Sequence, residues 1–142
     1  MSTETRPGLD ELAGCVERLV TWLRRSTAVP GYSVTSRLTL ARLQADGPAR
    51  ISDLARLEGV TQPAMTGLVN RLEAEGLVTR SADPTDARAA LVALTGTGRA
   101  FVESRRAERV RVLTARVERL SEADRAAILA ALPALDRLSN LS

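Results

Sequence analysis

The sequence predicts a mainly α-helical protein with one small β-hairpin. Residues 61–76 contain the start and stop signals of a helix, and residues 77–94 show the pattern of strand, charged turn and strand. Both ends of the chain place apolar residues at helical spacing. A short helix before residue 61 would complete a helix-turn-helix followed by a hairpin. This is the winged-helix arrangement, whose commonest use is to read duplex DNA.

The length and composition suit one domain with its own core and helical extensions, since 44% of the 142 residues are apolar. We expect a winged helix-turn-helix DNA-binding domain over residues 33–95. Residues 9–26 and 96–140 are expected to form a helical dimerisation region.

The first terminal helix is predicted over residues 9–26, where apolar residues form one stripe. The stripe comprises Leu9, Leu12, Ala13, Val16, Leu19, Val20 and Leu23. Cys15 and Trp22, seven residues apart, lie beside it. A helix that is apolar on a stripe and a shoulder is expected to contact two surfaces. The next helix is predicted over residues 33–45, with Ser33 as its cap and Val34, Leu38 and Ala41 facing inward.

The helix of residues 61–76 has clear ends. Thr61 is a suitable N-cap, Pro63 suits the first turn, and Gly76 suits the position after the last turn. Its apolar side, which should pack on the domain, comprises Ala64, Met65, Leu68, Val69 and Leu72.

The opposite side of this helix is small and polar, so it can approach a groove lined with phosphates. Thr, Gln and Asn side chains can bond base edges, whereas an ordinary solvated helix face would favour Lys, Glu or Arg. We therefore predict DNA contacts in this helix and in the short helix before it. The predicted residues are Ser52, Thr61, Gln62, Pro63, Thr66, Gly67, Asn70 and Arg71.

The hairpin is predicted to act as the wing. Asp83-Pro84 starts a turn. Asp86 and Arg88 are two residues apart and should point the same way from an extended arm, where the carboxylate could orient the guanidinium for a minor groove. An ordinary surface ion pair is the alternative for this tip. After a helix-turn-helix, the wing interpretation is favoured.

The stretch from Ile51 to Gly98 resembles the MarR family of bacterial transcription regulators. The matching segments are Leu54-Ala55, Val60–Ala64, Leu72–Val78, Asp83–Arg88 and Leu94–Gly98. The resemblance implies a homodimeric winged-helix DNA binder, usually a repressor, often released by a small ligand or by oxidation. One position departs from the family pattern, because Gly67 stands where many relatives have a polar or basic residue that contacts DNA.

Two further helices are predicted after the wing. Thr95 should cap a long helix that reaches about Leu120, and Ser121 should start a last helix that Pro133 is expected to kink. Apolar helices at both chain ends would leave a large exposed patch on a monomer. Twofold pairing would cover it and suit a pseudo-palindromic operator, although both ends could instead pack within one chain. The predicted dimer residues are Leu9, Leu12, Val16, Val117, Leu120, Ile128, Leu132, Leu135 and Leu138.

Charge alone does not indicate DNA binding. All 20 basic residues are Arg and the net charge is +3, but residues 50–90 contain five Arg and six acidic residues, a balance of about −1. Affinity would therefore depend on where the Arg side chains are placed, on helix N-termini and on dimeric avidity. The few aromatic residues argue against stacking platforms for single-stranded nucleic acid.

Other classes of protein are disfavoured. An enzyme, a metal site and a cofactor are not expected, because the chain has no His, no P-loop and no dinucleotide fingerprint. No membrane contact is expected, since the chain shows neither a signal peptide nor an apolar run that could span a bilayer. One Cys excludes an internal disulfide framework, so a cytoplasmic protein is expected.

The effector is predicted to be a small apolar or aromatic molecule, and Cys15, Leu19, Trp22 and Tyr32 could line its pocket. The first alternative is redox sensing at Cys15. Only one Tyr and neither Lys nor His are available to support a thiolate there. The second alternative is a winged helix that serves as a protein-interaction module without DNA binding.

Overall fold

The computed structural model of the protein describes residues 8–141, which are mainly helical (68%) with a small antiparallel sheet. The elements are α1 (Leu9–Ser26), α2 (Val34–Asp46), β1 (Ala49–Arg50), α3 (Ile51–Leu57), α4 (Gln62–Ala74), β2 (Val78–Asp83), β3 (Asp86–Leu94), α5 (Gly96–Val117) and α6 (Glu122–Ser139). The predicted fold class, a winged helix with helices at both ends of the chain, is confirmed.

The predicted helix caps form as expected. The hydroxyls of Ser33, Thr61 and Ser121 each accept a hydrogen bond from the backbone N–H three residues later. Such a bond satisfies one of the N–H groups that the first turn of a helix leaves unpaired. Thr95 caps α5 in the same way, since its Oγ1 accepts from the Gly98 N–H at 2.9 Å.

The sheet has the strand order β1-β3-β2, with both pairs antiparallel. Sequence patterns missed β1, because a two-residue strand is too short to show any alternation. The predicted charged tip is also shorter than expected. Asp86 lies opposite Asp83 in the ladder, so only Pro84 and Thr85 remain as the turn. Asp86 and Arg88 are therefore part of β3.

The chain divides into two compact units, one formed by Val29–Ala107 and the other by the residues before and after that range. All twelve buried apolar residues of the described chain lie in Val29–Ala107. They are Leu40, Leu43, Leu54, Ala55, Met65, Leu68, Val69, Leu72, Leu77, Val78, Val92 and Leu94. This core fixes α4 against the sheet and so positions its opposite face.

The predicted inward face of α2 is wrong. Val34 and Leu38 are 40% and 51% exposed, and Ala41 is also exposed. The helix instead buries Leu40 and Leu43 with two small polar residues, Ser36 and Thr39. α2 has two candidate stripes, and the one that meets the core is decided by packing. Burial of Ser36 is tolerated because its hydroxyl bonds the Ser33 hydroxyl at 2.9 Å.

The start of α5 is packed closely on the start of the wing. Thr95 donates its hydroxyl to the Gly76 carbonyl and its backbone N–H to the Leu77 carbonyl. Gly98 is buried, and a Cβ on this residue would overlap the Leu77 carbonyl. Glycine is therefore required here by the close approach of two backbones.

The terminal helices differ from this core. α1 and α6 are wholly within the described range and contain no buried residue. α5 ends at Val117, three residues before the predicted end at about Leu120. α6 continues through Pro133 without a break. None of the helices between residues 8 and 141 is long and apolar enough to cross a membrane.

Candidate nucleic-acid interface

The exposed face of α4 is held outward by the burial of the other face. Met65, Leu68, Val69 and Leu72 are buried as predicted, whereas Ala64 is exposed because it lies in the first turn, before the helix reaches the core. On the other side lie the side chains predicted to contact DNA, all of which are exposed except the half-buried Thr66. They are Thr61, Gln62, Pro63, Thr66, Gly67, Asn70 and Arg71.

Two residues at the centre of this face present little bulk. Apart from the adjacent residues and the backbone of α4 itself, no heavy atom lies within 4 Å of the position that a Cβ on Gly67 would occupy, so α4 has open space there. Thr66 donates its hydroxyl to the Gln62 carbonyl at 2.9 Å. Its oxygen lone pairs and its methyl group remain for an outside partner. A groove of DNA could therefore approach this helix closely.

Three predicted contact residues from three elements meet around one depression of about 260 Å³. Ser52 comes from α3, Gln62 from the start of α4, and Arg88 from β3. The remaining lining residues are Arg50, Ile51, Ala89 and Ala90. The fold thus places a Ser, a Gln and an Arg around one depression, although they are far apart in sequence.

The wing is held by Asp83, which is 6% exposed. Its Oδ1 accepts from the Thr85 N–H at 2.8 Å and from the Thr85 hydroxyl at 2.7 Å. Its Oδ2 pairs with Arg50 at 2.6 Å, which ties the hairpin to β1. The bonds from Thr85, and then Arg50, lower the pKa of Asp83 to about 2, although burial opposes this shift. The carboxylate therefore stays ionised and locks the turn.

The predicted ion pair between Asp86 and Arg88 does not form. Asp86 Oδ1 instead accepts from the Arg88 backbone N–H at 3.0 Å, and the described side chains include no ion pair between the two residues. A carboxylate two residues before an N–H readily closes such a turn, which competes with side-chain pairing. The acid that binds a guanidinium at the wing is Asp83, and its partner is Arg50.

Arg80, on β2, contacts the candidate interface and was not selected from the sequence. Its Nη2 donates to Asn70 Oδ1 at 2.5 Å, and its Nη1 lies 3.4 Å from Glu73 Oε2. Asn70 and Glu73 are three residues apart and therefore neighbours on one side of α4. No local pattern connects position 80 with position 70, because the contact depends on how the hairpin packs on the helix.

The structure shows which groups the acidic side chains of residues 50–90 bind. All six acidic side chains are engaged within the protein: Asp53 with Arg56, Glu58 with Arg42, Glu73 with Arg80, Glu75 with Tyr32, Asp83 with Arg50, and Asp86 with the Arg88 N–H. Arg71 and Arg88 are exposed, and neither has an ion-pair partner among the described residues. Unpaired guanidinium groups thus remain for phosphate although the formal balance is negative.

Known proteins share parts of this sequence and this fold. A sequence profile of the MarR family matches residues 33–90. A transcriptional regulator of Thermotoga maritima has the same fold, with a TM-score of 0.79, 26% identity, and coverage of 91% of this chain and 94% of that one. The winged-helix part of the chain therefore matches the MarR family.

Two further proteins resemble this chain. It is 37% identical over 67 residues to the HTH-type transcriptional repressor NicR of Pseudomonas putida, and the match spans 47% of this chain and 42% of NicR. It also resembles BpsR of Bordetella bronchiseptica, a protein whose DNA binding is regulated by 6-hydroxynicotinic acid. That comparison has a TM-score of 0.63, 25% identity, and covers 100% of this chain and 99% of BpsR.

The predicted ligand-pocket residues lie in both units. Cys15, Leu19 and Trp22 are on α1, and Tyr32 is in Val29–Ala107. Of these four, only Trp22 lines the depression on α1, together with Glu17, Arg18, Thr21 and Arg25. The Arg116 guanidinium lies 4.2 Å from the centre of the Trp22 ring. Cys15 and Leu19 are exposed.

Tyr32 joins three parts of the winged-helix unit. Its hydroxyl donates to Glu75, just after α4, at 2.5 Å, and its ring lies 4.8 Å from that of Phe101 on α5. The hydrogen bond to Glu75, followed by burial, raises the pKa of Tyr32. Tyr32 therefore has a structural role in this unit, whereas its role in a ligand pocket stays a prediction.

None of the nine predicted dimerisation residues is buried within the described chain. Val117 is half-buried, and the other eight are 39–55% exposed. The apolar stripes of α1 and α6 are thus exposed in the single chain, as they would be if another molecule normally covered them.

Proposed function

We propose that this MarR-family regulator is a homodimeric, sequence-specific repressor that binds pseudo-palindromic duplex DNA, with α4 in the major groove and the hairpin as a wing. The main support is the internal engagement of every acid in residues 50–90, which leaves the polar face of α4 and two Arg side chains unopposed. Base edges would be read by Gln62, Thr66 and Asn70, and phosphate would be held by Arg71 and by the first turn of α4.

Arg88 is proposed to contact the minor groove or its edge. Its backbone N–H is held by Asp86, its side chain has no ion-pair partner among the described residues, and it lines the same depression as Ser52 and Gln62. Asp86 would then support the wing through the backbone of β3. Loss of that carboxylate should therefore weaken DNA binding less than loss of the Arg88 side chain.

The test is duplex binding across a range of salt concentrations, with the region upstream of the chain's own gene compared with a random duplex. Arg88→Ala should weaken binding and reduce the slope of log affinity against log salt by about one phosphate contact, whereas Arg106→Ala on α5 is the charge-matched control. Equal affinity for both duplexes would rule out specific regulation. An unchanged slope in Arg88→Ala would remove the wing from the interface. A protein-interaction module predicts no salt-dependent duplex binding at all.

Dimerisation is proposed through α1, the end of α5 and α6, because their apolar side chains are exposed in the single chain. A twofold axis would also present two copies of α4 to successive half-sites of a palindrome. The proposed dimer acts in the cytoplasm, where operators are accessible.

Release by a small aromatic or apolar ligand is proposed by analogy with BpsR, whose DNA binding is regulated by 6-hydroxynicotinic acid. A ligand that favours one spacing of the two α4 helices shifts DNA affinity by its differential binding to the two states. The exposed thiol of Cys15 keeps oxidation as a second candidate.

Cys15→Ser separates these two modes of release. We expect the variant and the original chain to bind operator alike and to be released alike by 6-hydroxynicotinic acid or a related aromatic acid. Release of the original chain by peroxide, lost in Cys15→Ser, would establish the redox alternative. If neither treatment changes binding, the regulator acts without an effector of these two kinds.

A further inference from the structure

The contact between Arg80 and Asn70 fixes how one side chain of the interface faces outward. Arg80 Nη2 donates to the amide of Asn70 at 2.5 Å. A guanidinium has only donors, so the amide atom facing it must be the oxygen. Asn70 is exposed, and its Nδ2 has no partner among the described residues. The orientation of this amide is therefore set by the neighbouring strand.

Arg80 is itself held in place. Its Nη1 lies 3.4 Å from Glu73 Oε2, one turn along α4 from Asn70. Its Nε is buried without a hydrogen-bond partner in the described chain. Release of Asn70 would leave a second guanidinium N–H group without its partner, which adds to the cost of turning the amide around.

We propose that Arg80 is a positioning residue that presents Asn70 to DNA as a hydrogen-bond donor. This inference rests on the proposed function and specifies the base edge that Asn70 reads. Guanine offers two acceptors in the major groove, O6 and N7, and thymine offers O4. A free Asn pairs with adenine through both ends of its amide. Such pairing requires Oδ1 to face the base, and so to leave Arg80. Adenine also offers an acceptor, N7, but its N6 amino group beside it is a donor that opposes the Nδ2 donor of Asn70. Asn70 therefore selects guanine or thymine over adenine.

The experiment uses the full chain and a set of operator duplexes in which each base pair of the half-site is replaced in turn. The variants are Asn70→Asp, Asn70→Ala and Arg80→Met. Arg56→Met is the matched control, because it removes one exposed Arg of the same unit without touching Asn70. Circular dichroism and thermal unfolding establish that each variant is folded.

At one position of each half-site, the original chain should prefer guanine or thymine over adenine by roughly 5- to 100-fold. Arg80→Met should shift this position toward adenine, since the freed amide can turn both ends to the base. Arg56→Met should lower affinity for every duplex alike through loss of charge and keep the preference.

Asn70→Asp keeps the partner of Arg80 but replaces the outward donor with an acceptor. Its preference at the same position should move to a base edge with a donor, the N4 of cytosine or the N6 of adenine, while Asn70→Ala should lose preference there. Asn70→Asp therefore tests the proposed role of Asn70 as a donor even if Arg80→Met does not fold.

Identical base profiles for Asn70→Asp and Asn70→Ala would overturn the inference, and so would a folded Arg80→Met whose preference is unchanged at every position. Binding of the original chain to random and operator duplexes alike would instead defeat the proposed function itself. The two failures are therefore distinguishable.

Discussion

The winged-helix unit and the terminal helices use apolar side chains in opposite ways. Within Val29–Ala107, twelve apolar residues are buried in one cluster formed by α2, α3, α4 and the sheet. In α1 and α6, both fully described, none is buried, although Leu recurs at helical spacing in each. The first unit can hold its shape with its own core, whereas the terminal helices need a further apolar surface. The part proposed to read DNA thus has its own apolar core, whereas the helices proposed to pair two copies contribute no buried residue to it.

The strongest test of this contrast compares two Leu→Ala substitutions. Leu54→Ala, at a side chain with no exposed surface, should lower the free energy of unfolding by about 2–5 kcal/mol at every protein concentration. Leu132→Ala, at a residue that is 51% exposed, should act mainly by weakening self-association. Its unfolding midpoint should therefore fall below that of the original chain by an amount that depends on protein concentration.

Chemical denaturation at several concentrations measures both effects, and sedimentation gives the oligomeric state. A single 15.2 kDa species for the original chain at micromolar concentration would contradict the proposed dimer. If Leu54→Ala had no more effect than Leu132→Ala in dilute solution, the contrast between the two units would be wrong.

A smaller effect is expected from two glycines that both lie inside helices. Gly98→Ala would place a methyl group against the Leu77 carbonyl, and should cost about 1–3 kcal/mol because neither backbone can move without disturbing α5 or β2. Gly67→Ala has open space, and should stabilise α4 by about 0.5–1 kcal/mol through reduced backbone freedom in the unfolded chain. Thermal unfolding of the two variants measures the difference, and equal shifts would show that the contact at Leu77 is not close.

The smallest effect concerns the acid sensitivity of the wing. The pKa of Asp83 is lowered from 3.8 to about 2 in the folded chain, so its contribution to stability is complete above about pH 4. That contribution is lost as the pH falls from about 4 to about 2, because protons then bind the unfolded chain more readily than the folded one. The protection of the Thr85 amide against hydrogen exchange, measured relative to the intrinsic exchange rate at each pH, should therefore fall over this range.

Asp83→Asn should remove this pH dependence and make exchange at Thr85 fast already at neutral pH. The control is Asp53→Asn, which removes an acid of an exposed pair with Arg56 at 3.6 Å and should leave the wing unchanged. If Asp83→Asn still lost protection of the Thr85 amide between about pH 4 and about pH 2, another carboxylate would be responsible for that loss.

Much of the architecture is determined locally, and so the sequence predicts it. The caps Ser33, Thr61 and Ser121 form because a hydroxyl needs only the N–H groups three residues ahead. The buried side of α4 was predicted, with the exception of Ala64, because four of its apolar residues recur at helical spacing. Resemblance in the segments from Leu54 to Gly98 was sufficient to indicate the MarR family.

Only the tertiary structure decided the partners of charged and polar groups that are distant in sequence. The spacing of Asp86 and Arg88 indicated an ion pair, but a backbone N–H takes the Asp86 carboxylate, and Arg50 comes from β1 to Asp83. The stripe of α2 that faces inward and the contact of Arg80 with Asn70 were likewise settled by packing. The physical reason is that a hydrogen bond or ion pair requires two groups within about 3–4 Å. Sequence spacing specifies that distance only within a helical turn or a tight hairpin.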